Sequence, residues 1–217
     1  MDPIQITKPF LPPREKVYNL LDGVWERDWL TNNGPLVEQL ELRLTDYLDV
    51  PQLLFVSSGT TALQIAIRAL GVSKKVITTP FSFVATTSSI VWAGCTPVFA
   101  DIDPETLNID PRKIEPHIDE ETEAILATHC FGIPCAINEI AAIANRHNLA
   151  VIYDAGHCFG VTYMGKSVLC YGDISATSFH ATKLFHTVEG GALVTNDLEL
   201  HERMSFIRNF GHDGPGN

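Results

Sequence analysis

Apolar residues follow two alternating rhythms along this chain. Over residues 37–48 they recur at Leu40, Leu44 and Leu48, with Leu42 and Tyr47 between, the spacing of a helix with one buried stripe. Short strand-length runs then stand at residues 53–56, 76–79, 97–100, 124–127 and 150–153. Helical patterns separate them. Residues 57–70 read as a turn opening an amphipathic helix that closes at Gly71, and residues 83–92 and 138–147 read as two more helices. Residues 101–111 form an acidic loop, and Ala192, Leu193 and Val194 make a further strand-like run. Ahead of all this lies an arm interrupted by Pro9, Pro12 and Pro13, then a short helical pattern over 15–25 and an Asn-Gly, Gly-Pro turn at 30–35. Strands interleaved with helices, and apolar on both faces, predict a mainly parallel sheet covered on both sides. The expected fold is α/β, a three-layer α/β/α sandwich. Residues 1–35 serve as N-terminal arm and first helix, and residues 36–217 as one large domain.

Composition narrows the function. The 217 residues are 45% hydrophobic, enough for a substantial core. Net charge is −11 and no run of Lys or Arg occurs, which argues against a nucleic-acid or anionic-membrane surface. The first residues have neither a basic nor an apolar leader region, and no stretch is long enough to span a bilayer, so a cytoplasmic protein is expected. Five cysteines without C-x-x-C spacing read as reduced, partly buried thiols. The pairs His129–Cys130 and His157–Cys158 lack the loop spacing of a zinc site.

In parallel α/β sheets ligands gather at the carboxyl ends of strands. Ser57, Ser58, Gly59, Thr60 and Thr61 follow the first strand and open a helix, whose free N–H groups and dipole suit a phosphate. Simple helix capping by Ser or Thr is the alternative. Phe83, at the next strand-to-helix junction, could stack on a flat heteroaromatic ring or fill the core. Asp154 ends an apolar strand and needs a partner such as a pyridinium N–H; a capping role is the alternative. His157 could donate to a ring hydroxyl or be a core histidine. Lys183 sits among small and apolar residues before a Glu-Gly-Gly turn, where lost hydration lowers the pKa of an amine and frees a nucleophile. Together these are the parts of a pyridoxal-phosphate site. Without a G-x-G-x-x-G or Walker fingerprint, an NAD-dependent enzyme is disfavoured.

Seven motifs in order carry a resemblance: NNGP (32–35), SSGTTAL (57–63), PFSFVAT (80–86), GCTPVFADID (94–103), THCFGIP (128–134), DAGH (154–157) and SFHATKLFHTVEGG (178–191). With these the chain resembles the sugar-nucleotide aminotransferases of the fold-type-I, aspartate-aminotransferase-like class, from about residue 30 to residue 211. The resemblance implies Lys183 as the Schiff-base and proton-shuttling lysine, Asp154 on the pyridine nitrogen, His157 near the ring hydroxyl and Phe83 stacked on the ring. It implies Gly59, Thr60 and Ser178 on the phosphate. The reaction it implies is amino transfer from glutamate to a keto-sugar nucleotide through pyridoxamine phosphate, by a homodimer. Relatives that are dehydratases carry His in place of the lysine, so Lys183 argues against that branch. His180 ahead of Lys183 looks like enzymes aminating C4, with dTDP-4-keto-6-deoxyglucose as the expected acceptor and surface polysaccharide such as the O-antigen of lipopolysaccharide as the destination. Family members continue into a segment that reaches the partner's site and then a small C-terminal domain. The chain ends before both, so a catalytically incompetent fragment that only binds cofactor or assembles is the alternative.

Overall fold

The computed structural model describes residues 8–212; residues 1–7 of the predicted arm and the last five residues lie outside that range. The chain order is helix α1 (Arg14–Arg27), α2 (Pro35–Leu48), strand β1 (Gln52–Val56), α3 (Gly59–Ala69), β2 (Lys75–Thr78), α4 (Val84–Trp92), β3 (Thr96–Phe99), β4 (Thr122–Thr128), α5 (Ile137–His147) and β5 (Ala150–Asp154). A two-stranded hairpin, β6 (Thr162–Tyr163) and β7 (Lys166–Ser167), precedes β8 (Ile174–Ser178), β9 (Gly191–Thr195) and α6 (Leu198–Arg208). Seven strands form one sheet in the order β1-β9-β8-β5-β4-β2-β3. Six run the same way. Only β9 is reversed, pairing antiparallel with both β1 and β8.

Alternation along the strands divides the core in two. Ile125, Ala127, Val151 and Tyr153 face a cluster with Leu44 and Leu48 of α2 and Ile140 of α5. Ala124, Leu126 and Ile152 face another with Ile67 of α3, Ile90 of α4 and Met204 of α6. Both faces of the sheet are therefore covered, which makes the three layers expected from continuous apolar strands. The edge strand β3 departs from that expectation: none of its four residues is buried, because only one neighbour and part of one face cover it.

Two large elements were not anticipated from the apolar pattern. Strand β8 reads Ile-Ser-Ala-Thr-Ser, yet Ile174 to Thr177 are buried. Its hydroxyls tolerate burial by donating to backbone carbonyls, Ser175 to Tyr171 (3.1 Å) and Thr177 to Ala155 (3.1 Å). Helix α6 buries only Met204, and starts where the Asp197 carboxylate accepts from the N–H groups of Glu199 and Leu200.

Candidate active site

The carboxyl ends of β1, β2, β4, β5 and β8 lie along one edge of the sheet, as parallel strands require. A cavity of about 500 Å³ opens there. Gly59, Thr60, Phe83, Asp154, His157, Ser178 and Lys183 all line it, so these seven candidate site residues are brought to one place, whereas Ser57 and Thr61 of the same turn face away from it.

One wall is the start of α3. Ser58 is its N-cap, and the Ser58 hydroxyl accepts from the Thr61 N–H (3.0 Å). Capping and anion binding are thus divided between neighbours: Ser58 serves the cap, while the first-turn N–H groups of Gly59 and Thr60 have no acceptor one turn back and remain available. A Cβ at position 59 would stand 2.9 Å from the Ser178 Cβ, so glycine is what lets this turn approach the end of β8. The Ser178 hydroxyl adds a donor at the same corner. The corner thus gathers the kind of N–H and O–H donors that a phosphate would need.

Asp154 lies at the end of β5, half-buried, with both oxygens held. Oδ2 accepts from the Thr86 hydroxyl (2.7 Å) and Oδ1 from the Gly156 N–H (3.1 Å). Thr86 is wholly buried in the first turn of α4 and was missed in the sequence reading. Its position three residues after Phe83, one helical turn, was the available signal. Phe83 itself caps α4 rather than joining the core; its ring is 75% exposed at the cavity mouth. His157 is exposed as well, beside the Phe131 ring (centroids 6.3 Å apart, interplanar angle 7°). Burial of part of the imidazole and the Lys183 charge lower its pKa, and Asp154 opposes them.

Lys183 projects from a loop closed at both ends of the turn it spans. The Phe179 N–H donates to Gly190 O (2.8 Å) and the Thr187 N–H to Phe179 O (2.9 Å). Inside the loop the Lys183 N–H donates to His180 O (2.9 Å). Phe179 is fully buried, with Phe185 (5.2 Å) edge-on and Phe55 (6.1 Å) stacked beside it. Burial lowers the Lys183 pKa, partly offset by the nearby Asp154 carboxylate. Its amine is therefore easier to deprotonate than a solvated lysine. Thr128, His129, His180, Thr182, Glu189 and Gly190 also line the cavity; of these, the sequence reading gave a place near the site only to His180 and the Glu-Gly-Gly turn.

The DegT/DnrJ/EryC1/StrS aminotransferase family model matches residues 13–216. The chain belongs to this family. Among relatives of this aminotransferase family, the dTDP-4-amino-4,6-dideoxy-D-glucose transaminase of Shigella dysenteriae is 51% identical over 210 residues, 97% of this chain and 57% of the relative. The solved structure of DesI with its TDP-sugar product superposes with a TM-score of 0.95 at 36% identity, covering 100% of this chain and 55% of that one. NtdA from Bacillus subtilis with bound cofactor PMP gives a TM-score of 0.79 at 35% identity, covering 94% and 48%. The chain thus spans about half the length of these relatives (57%, 55% and 48%). The fold expected from the sequence, an α/β large domain of the fold-type-I aminotransferases, is the one these neighbours share.

Proposed function

We propose that this chain supplies the cofactor-holding part of a pyridoxal-phosphate-dependent sugar-nucleotide aminotransferase. Glutamate would be the amino donor, and the C4 ketone of dTDP-4-keto-6-deoxyglucose the acceptor. The observation that carries the reading is one cavity faced by a desolvated lysine, a doubly held carboxylate and a helix N-terminus. The relatives support the substrate class, since one acts on a dTDP-4-amino sugar and another was captured with a TDP-sugar product. We extend the destination to surface polysaccharide such as O-antigen.

The donor set fits pyridoxal phosphate. Gly59, Thr60 and Ser178 offer N–H and O–H donors to a phosphate at the α3 terminus, where the helix dipole also favours negative charge. Asp154 keeps lone pairs beyond those taken by Thr86 and Gly156, and would hold a proton on the pyridine nitrogen. His157 would donate to the ring hydroxyl, and Phe83 would cover one ring face. Lys183 would hold the cofactor through its carbonyl carbon, whose oxygen leaves as water, and, once released, would carry a proton to and from the substrate carbon. Bound, the cofactor supplies an electron sink for a carbanion; orientation and protonation state come from the residues named.

A second reading, a cofactor-binding module without turnover of its own, is favoured by one observation. Among the described residues, Lys183 is the sole lysine or arginine lining the cavity. A nucleoside diphosphate and the carboxylates of glutamate call for more cations than that. In a homodimer a second copy would contribute to the same site.

Titration with pyridoxal phosphate, followed by visible absorption, tests the assignment. Binding should produce a visible band that Lys183→Ala abolishes; a band surviving that substitution would refute Lys183 as the anchor. Adding glutamate should bleach the band, whereas binding without bleaching favours the module reading.

A further inference from the structure

Asp154 can serve a ring nitrogen only if its carboxylate is held in one plane at one angle, because a carboxylate on a single torsion otherwise sweeps through many orientations. Two donors prevent this, one on each oxygen. The Gly156 N–H is local, two residues along the same strand end. The Thr86 hydroxyl comes from α4, 68 residues away in sequence, and makes the shorter bond at 2.7 Å. A threonine in a helix usually returns its proton to a carbonyl three or four residues back, or to water. Thr86 is completely buried and gives its proton to Asp154 instead. Its backbone N–H donates to Phe83 O (3.0 Å), closing the first turn of α4 with Phe83 as cap. The ring-covering aromatic and the carboxylate clamp are therefore two ends of the same helical turn.

We propose that Thr86 is a positioning residue: its hydroxyl fixes the plane of the Asp154 carboxylate toward the cofactor ring, and the turn that carries it sets Phe83 over that ring. The inference rests on the assignment of Asp154 to the pyridine nitrogen. Serine retains the hydroxyl at position 86, whereas valine is close in shape and cannot donate. With the hydrogen bond to a charged group lost, Thr86→Val should weaken pyridoxal-phosphate binding about tenfold. Thr86→Ser should restore binding to within about twofold of the parent protein, the scatter of independent sites.

A double-substitution cycle separates positioning from general packing. Cofactor affinity is measured by spectral titration for the parent protein, Thr86→Val, Thr86→Ser, Asp154→Asn and Thr86→Val combined with Asp154→Asn. If Thr86 acts through Asp154, the Thr86→Val effect should nearly vanish in the Asp154→Asn background. If Thr86→Val weakens binding by the same factor in both backgrounds, Thr86 is a packing residue and the proposal is overturned. Parent-like binding by Thr86→Val, with Asp154→Asn impaired, overturns the Thr86 role while leaving Asp154 on the ring. An Asp154→Asn protein that binds as the parent does, or a parent protein that binds no cofactor, removes the underlying assignment and this inference with it.

Discussion

His129 is the most buried titratable base in the molecule's described part, with no exposed surface. Its Nδ1 accepts from the Cys135 N–H (3.0 Å), and its ring stacks on Tyr153 at 4.5 Å between centroids. Burial lowers its pKa to about 4. The sign of the stability effect follows. Near pH 6.5 the unfolded chain begins to take up a proton at this position, while the folded chain refuses it until about pH 4. Stability is undiminished above pH 6.5 and falls as pH drops through that window, by up to about 3 kcal/mol at its foot. His129→Asn, which keeps an acceptor for Cys135, should flatten the slope of unfolding free energy against pH between those limits. Denaturant melts at several pH values check this. An unchanged slope would mean that some other group carries the titration. At this scale Gly59, Thr60, Phe83, Asp154 and His157 were legible because each stands at or soon after the end of an apolar strand, Lys183 from its small and apolar surroundings, and Ser178 only through the family resemblance. Thr86 was not, because a buried hydroxyl inside a helix announces its partner only when β5 lies alongside.

The element that matters most is the Lys183 loop between β8 and β9. Its two ends are tied by backbone hydrogen bonds, and Phe179 and Phe185 anchor it in an aromatic cluster with Phe55 and Phe159. Phe179→Ala should cost roughly 3–5 kcal/mol in equilibrium unfolding, as for other large aromatics removed from a core. It should also broaden the pH range over which Lys183 deprotonates in cofactor capture, since the amine would sample wetter positions. A loss below about 1 kcal/mol would mean that the cluster repacks around the gap. The flanking strands illustrate the limit of pattern reading. β9 carries the apolar run Ala192-Leu193-Val194 and was anticipated; β8 alternates with serine and threonine and was not. Nothing in Ile-Ser-Ala-Thr-Ser distinguishes a buried strand from a solvated loop until Tyr171 and Ala155 offer carbonyls to its hydroxyls.

At the scale of the whole molecule, one helix stands out for the apolar surface it leaves uncovered. Helix α1 buries no residue, and Val17, Tyr18, Leu20, Leu21 and Trp25 are all exposed. The arm before it reaches the Lys183 loop, where His186 Nε2 donates to Phe10 O (2.8 Å). So much apolar surface on one helix marks an interaction face, and the proposed homodimer supplies the occupant. Leu20→Asp together with Leu21→Asp should convert a dimer to a monomer in sedimentation, leaving the fold of residues 35–208 intact by circular dichroism. A parent protein that sediments as a monomer would remove the homodimer reading. Length and apolar rhythm alone determined the α/β class, the sandwich and where along the chain most of its strands fall, because burial on both faces forces continuous apolar runs. Only the tertiary structure decided that β9 runs against its neighbours and that Thr86 clamps Asp154. Those facts depend on groups far apart in sequence meeting at hydrogen-bond distance, and side-chain identity along a single chain does not encode that meeting locally.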